Sequence, residues 1–132
     1  SQKNLGIEFS RRARGIPLWA ALRSLGRDGI TALVDRHCRL ARKLATGLSA
    51  AGYTVLNDVE LNQVLFRLDS DTATREAHAA AVATGRLWFG PTVWQGRPAL
   101  RMSVSSWQTG EEHIDRAVAI LAQTARRTRM DV

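Results

Sequence analysis

At 132 residues with 45% apolar content and one cysteine, the chain has room for a single domain with a real core and none for an internal disulfide. No apolar run approaches bilayer length and the N-terminus carries no basic-then-apolar signal pattern, so a membrane partner is not expected and a cytoplasmic location is. The net charge of +7 comes from seventeen Arg against two Lys; this fits a basic binding patch, an arginine-rich coding bias, or an acidic counterpart elsewhere in a longer polypeptide.

Residues 1–15 have no helical period and hold one apolar pair at strand spacing, Ile7 and Phe9, so they read as an extended arm ending in a basic loop; residues 16–132 read as a single small domain. Pro17 suits the first turn of a helix, where its missing N–H is no loss. Leu18, Trp19, Leu22 and Leu25 follow at helical spacing, and Gly26 and Gly29 interrupt them. From Ile30 to Leu48 runs the longest amphipathic stripe, with Gly52 placed as a left-handed stop. Two strands are predicted at Tyr53–Leu56 and Leu61–Leu68; in the second, Val64, Phe66 and Leu68 alternate with Gln63, Leu65 and Arg67.

An alanine-rich helix, Ala73–Thr84, is predicted after the turn at 69–72, with Gly85 as its stop. Leu87–Trp94 and Ala99–Ser105 read as a hairpin around Gln95–Pro98, with Pro91 marking an edge strand or a bulge. Thr109 and Glu112 have capping-box spacing before a last helix whose stripe is Ile114, Ala117, Val118, Leu121 and Ala125, with Arg126, Arg127 and Arg129 near its C-terminus. The order helix, two strands, helix, two strands, helix gives an α+β fold, a small mostly antiparallel sheet with helices packed on a face.

Most chemical motifs are missing. His37, His78 and His113 fall in separate helices without metal-ligand spacing, so no metal site is supported. Cys38, beside the long helix's stripe, reads as a buried inert thiol, and Trp19, Trp88, Trp94 and Trp107 read as core ahead of a pocket lining. No nucleophile elbow, phosphate loop or dinucleotide glycine pattern occurs. One residue stands out. In Ala99–Ser105, Leu100, Met102 and Val104 share one strand face, and Arg101 is the only charge, on the other. It either meets solvent or reaches into a site that needs a fixed cation.

The run SRRARGIPLWAALRSLGRDGI from Ser10 resembles the start of the C-terminal domain of the group II pyridoxal-phosphate-dependent amino-acid decarboxylases, the family of aromatic-amino-acid and glutamate decarboxylases. LNQVLFR at 61–67, WQGR at 94–97, LRMSVSSWQT at 100–109 and the acidic helix start through Ile114 and Asp115 follow in the family's order, so the resemblance covers nearly the whole chain. It implies the small C-terminal domain of an aspartate-aminotransferase-like fold, which closes over a large domain holding pyridoxal 5'-phosphate. The Schiff-base lysine, the aspartate facing the pyridine nitrogen and the histidine stacked on the ring lie upstream in such proteins. Neither Lys3 nor Lys43 has the family's His-Lys context, so neither is assigned, and this chain alone is expected to be inactive and to bind no cofactor.

One substrate-binding residue maps by the resemblance, Arg101, at the position where these decarboxylases place an arginine on the substrate's carboxylate. The partners implied are the large domain of the same enzyme, a second subunit in a homodimer and an L-amino acid, with aromatic ones among the candidates. A reading from another class is a stand-alone basic α+β module that binds nucleic acid through Arg11, Arg12, Arg14 and the tail arginines; a third is a small regulatory or interaction domain.

Overall fold

The computed structural model describes residues 12–130, except the side chains of residues 129 and 130. Three helices and four strands alternate along it as α1 (Gly15–Ala50), β1 (Thr54–Val55), β2 (Gln63–Arg67), α2 (Asp71–Ala83), β3 (Gly90–Trp94), β4 (Arg97–Ser103) and α3 (Glu111–Met130). The chain forms two compact units, divided between Leu33 and Val34. The first eleven residues, most of the predicted arm, lie outside the described ones.

In the first unit the helix breaks at Gly26, whose φ of 64 and ψ of −174 no other residue type adopts readily. Gly29, the second expected interruption, stays helical. The stripe Ile16, Leu18, Trp19, Leu22 and Leu25 is solvent-exposed, Trp19 at 64%. A core position for Trp19 is therefore corrected: one short helical segment has no second apolar surface of its own against which to bury a stripe.

In the second unit the predicted long helix ends as its glycine demands. Gly52 has a φ of 91, its N–H donates to the Ser49 carbonyl at 3.0 Å, and the Tyr53 N–H donates to the Leu48 carbonyl at 3.0 Å. That paired closure turns Tyr53 inward, where its hydroxyl lies 3.1 Å from the Leu121 carbonyl and its ring meets Phe66 edge-on at 5.4 Å.

The sheet is antiparallel throughout, in the order β1-β2-β4-β3. β2 and β4 are thus interior, and Pro91 lies in an edge strand, where its missing N–H breaks no ladder. The hairpin turn is two residues long, Gln95 and Gly96, with φ of 49 and 76; it is tighter than the four-residue stretch expected, because Arg97 and Pro98 already pair with Trp94 and Val93. One sheet face gives Val64, Phe66, Leu100, Met102 and Val104 to a core shared with Leu40, Leu44 and Leu48 of α1, Ala77 and Ala81 of α2, and Ile114 and Leu121 of α3.

Helix starts depart from expectation for local reasons. α2 opens two residues early because the Ser70 hydroxyl accepts the Ala73 N–H at 3.0 Å. At α3 the cap is not Thr109 with Glu112: the Gly110 N–H donates to His113 Nδ1 at 3.1 Å, and His113 takes the reciprocal role expected of the glutamate. Cys38 is half-buried rather than buried. Trp88, Trp94 and Trp107, expected in the core, are 82%, 41% and 72% exposed. Their places on the helix-side face are taken by Phe66, Phe89 and aliphatic side chains, which fill it without an indole N–H to satisfy.

Candidate functional site

The face of the sheet opposite the shared core carries Gln63, Leu65 and Arg67 on β2, Arg97, Ala99, Arg101 and Ser103 on β4, and Gly90, Thr92 and Trp94 on β3. Three arginines stand on it, with different fates. Arg67 is 6% exposed; its Nη2 lies 2.7 Å from Asp71 Oδ1 and its Nε donates to the Leu68 carbonyl at 2.9 Å. Arg97, from the start of β4, reaches the same Asp71 oxygen at 3.1 Å through Nη2 and also donates to the Asp69 carbonyl at 3.2 Å. Asp71 is held below the ordinary carboxylate range, first by the Arg67 hydrogen bond and then by that of Arg97.

Arg101 is the third. It is exposed and has neither a hydrogen bond nor an ion pair among the described residues. Its backbone belongs to an interior strand, paired across to Leu65 on one side and Gly90 on the other, so the stem is fixed while the guanidinium projects from the sheet. The acid on this face, Asp71, is committed to Arg67 and Arg97. The arrangement suits an exogenous anion, above all a carboxylate, which the planar fork grips by two parallel N–H···O bonds.

Alternation alone singled out Arg101 as the strand's one charge, and its substrate-binding role came only from the family resemblance. Sequence reasoning missed the Arg67–Asp71–Arg97 network, because a β2 end, a helix start and a hairpin turn meet there only through the sheet's register. The one hint was Arg67 at the end of an otherwise apolar strand.

The other candidates fall elsewhere. Lys43 Nζ on α1 is engaged by Glu111 at 3.2 Å and by Asp115 at 2.8 Å, and the Asp115 hydrogen bond raises its pKa above the ordinary lysine value. Glu111 is held low in turn, first by Arg39. His37 Nε2 lies 3.0 Å from the Ser106 carbonyl and His78 Nε2 3.0 Å from that of Phe89, so both tie elements together. Among the described residues no three His, Cys, Asp or Glu side chains gather as metal ligands. Of the basic residues in the nucleic-acid reading, Arg12 and Arg14 are exposed in the first unit, Arg126 and Arg127 are exposed in the second, and Arg11 and the Arg129 side chain lie outside the described residues.

Comparison with known proteins bears on the family and the fold. The pyridoxal-dependent decarboxylase conserved domain matches residues 1–69, more than half of the chain. Tyrosine decarboxylase 2 of Arabidopsis thaliana is 30% identical over 139 residues, covering 98% of this chain and 26% of that protein. Tryptophan decarboxylase 2 of Oryza sativa subsp. japonica is 28% identical, covering 93% and 27%. A crystal structure of Oryza sativa TDC with PLP and tryptamine has the same fold, with a TM-score of 0.83 at 24% identity over 95% of this chain and 29% of that one. The chain thus spans about a quarter of the length of the curated relatives it matches.

Proposed function

The chain belongs to the pyridoxal-dependent decarboxylase family, and from that premise we propose that it is the C-terminal part of a pyridoxal-phosphate-dependent enzyme that decarboxylates an aromatic L-amino acid, with Arg101 holding the substrate's carboxylate. The observation that carries this reading is the guanidinium of Arg101, exposed on an interior strand without a partner among the described residues. The aromatic substrate class is supported by the names of two relatives, a tyrosine and a tryptophan decarboxylase. The large domain of the same polypeptide is the proposed partner, and the exposed stripe from Ile16 to Leu25 supports it as a surface suited to docking.

The described residues do not fit the cofactor itself. Lys43 is the only lysine among them, and two carboxylates hold it as an ammonium, whereas an aldehyde is attacked only by the free amine. The cofactor's groups are therefore proposed to lie outside the described residues.

What Arg101 contributes follows from the fate of its ligand. The carboxylate leaves as neutral CO2, so a grip that only tightens binding stabilises the ground state more than the transition state. The useful share of the interaction is orientation: two parallel hydrogen bonds fix the plane of the carboxylate and hence the direction of the bond to be broken.

The test is paired. The natural polypeptide carrying this chain, supplied with pyridoxal phosphate, is expected to release CO2 from L-tryptophan or L-tyrosine and yield the amine. This chain alone is expected to give neither turnover nor the absorbance of a lysine aldimine. A specific lysine adduct on the isolated chain, or a natural polypeptide inert towards every aromatic L-amino acid, would count against the reading.

A further inference from the structure

Gly90 is a glycine without a local reason to be one. It opens β3 opposite Arg101, and its φ lies outside the left-handed region, so no turn or backbone strain requires it. A Cβ built there meets nothing within 4 Å, so no neighbouring side chain or strand excludes one. A glycine in a strand carries a penalty in backbone entropy and gives up a packing contact, and where it serves no turn or bulge it marks a place that something else must approach closely.

The approach is directed by what stands across the strand. Side chains at paired positions lie with Cβ atoms about 4.5–5.5 Å apart on the same face, so anything larger than hydrogen at 90 would flank the stem of Arg101. On the other flank Leu65, half-buried, already forms an apolar wall. Leu65 thus flanks Arg101 on the β2 side, and on the β3 side the flanking position has no side chain. Two separate features, a cation without a partner among the described residues and a glycine that no turn or close contact there requires, meet at one register position.

We infer that Gly90 is a specificity-determining position: its missing side chain leaves free the space beside the Arg101 guanidinium in which the substrate's carboxylate lies. The inference rests on the role proposed above for Arg101 and adds that the carboxylate enters over β3 rather than over β2.

The experiment uses the natural polypeptide with its cofactor and compares Gly90→Val, Gly90→Ala and Arg101→Ala. Gly90→Val is expected to raise KM for the amino-acid substrate about tenfold or more, as a branched side chain in a ligand's place does, with Gly90→Ala intermediate. Inhibition by the product amine, which lacks the carboxylate, should stay within about twofold. Tm should hold or rise, because valine suits a strand better than glycine. Equal losses for acid and amine would overturn the inference, since the effect would then be general distortion. If Arg101→Ala is damaging and both Gly90 variants are silent, the inference falls alone. If Arg101→Ala is itself silent, the role of Arg101 falls and this inference with it. Gly90→Ala adds a methyl group that meets nothing in the chain, so it keeps the test open if the valine variant folds poorly.

Discussion

Asp71 shows how two of the three arginines on the open sheet face are committed. Its carboxyl lies below the ordinary value of 3.8, chiefly through the Arg67 hydrogen bond and further through Arg97. A carboxylate with a lower pKa folded than unfolded adds stability that is fully present above the unfolded value and is lost as pH falls through the folded one. Asp71→Asn is therefore expected to lower Tm at neutral pH, leaving Arg67 at 6% exposure without its ion pair, and to flatten part of the acid-side loss of Tm below about pH 4. A pH series of thermal melts checks this, and parallel curves for the two proteins would contradict it. Arg101 was legible in sequence because alternation needs only neighbours along one strand. The Asp71 network was not, because it joins residues up to 28 positions apart, Arg97 to Asp69, through a register no local pattern encodes.

At the scale of elements, the contact of α1 with α3 turns on Gly47. A Cβ at that position would lie 2.6 Å from Val118 Cγ2 and 3.0 Å from its Cγ1. A β-branched side chain on α3 has little rotamer freedom with which to retreat. Gly47→Ala should therefore destabilise by about 1–3 kcal/mol, despite alanine's better helix propensity. In a denaturant-unfolding double-mutant cycle, Val118→Ala should recover much of that loss; strict additivity would show that the two do not meet. The glycine stop at Gly52, the break at Gly26, the edge placement of Pro91 and the strand alternations were all readable, because each is a conformational demand of a residue on its own backbone. The start of α3 was not, because Gly110 and His113 supply the reciprocal cap that Thr109 and Glu112 promised by spacing alone. Gly90 escaped notice for the opposite reason: its meaning lies across the strand, not along it.

For the whole molecule, the tryptophans mark where composition misleads. Indoles at apolar positions were read as core, yet all four are exposed, from 41% at Trp94 to 82% at Trp88. The large domain proposed as partner would cover the exposed stripe that holds Trp19. Trp19→Ala is accordingly expected to change the stability of this chain alone by no more than about 0.5 kcal/mol, and to cost several-fold more in the natural polypeptide if the stripe docks there. Equal effects in the two settings would mean that the stripe has no such partner.

Arg101 is proposed to bind the carboxylate that is lost. The most direct measurement is steady-state kinetics of Arg101→Ala in the natural polypeptide with an aromatic L-amino acid, alongside its bound-cofactor absorbance and Tm. The expected result is a kcat/KM lower by about a hundredfold, with absorbance and Tm unchanged, because Arg101 is exposed and has no partner to support among the described residues. Unchanged kinetics, or a loss of activity that tracks loss of cofactor or of fold, would contradict the claim.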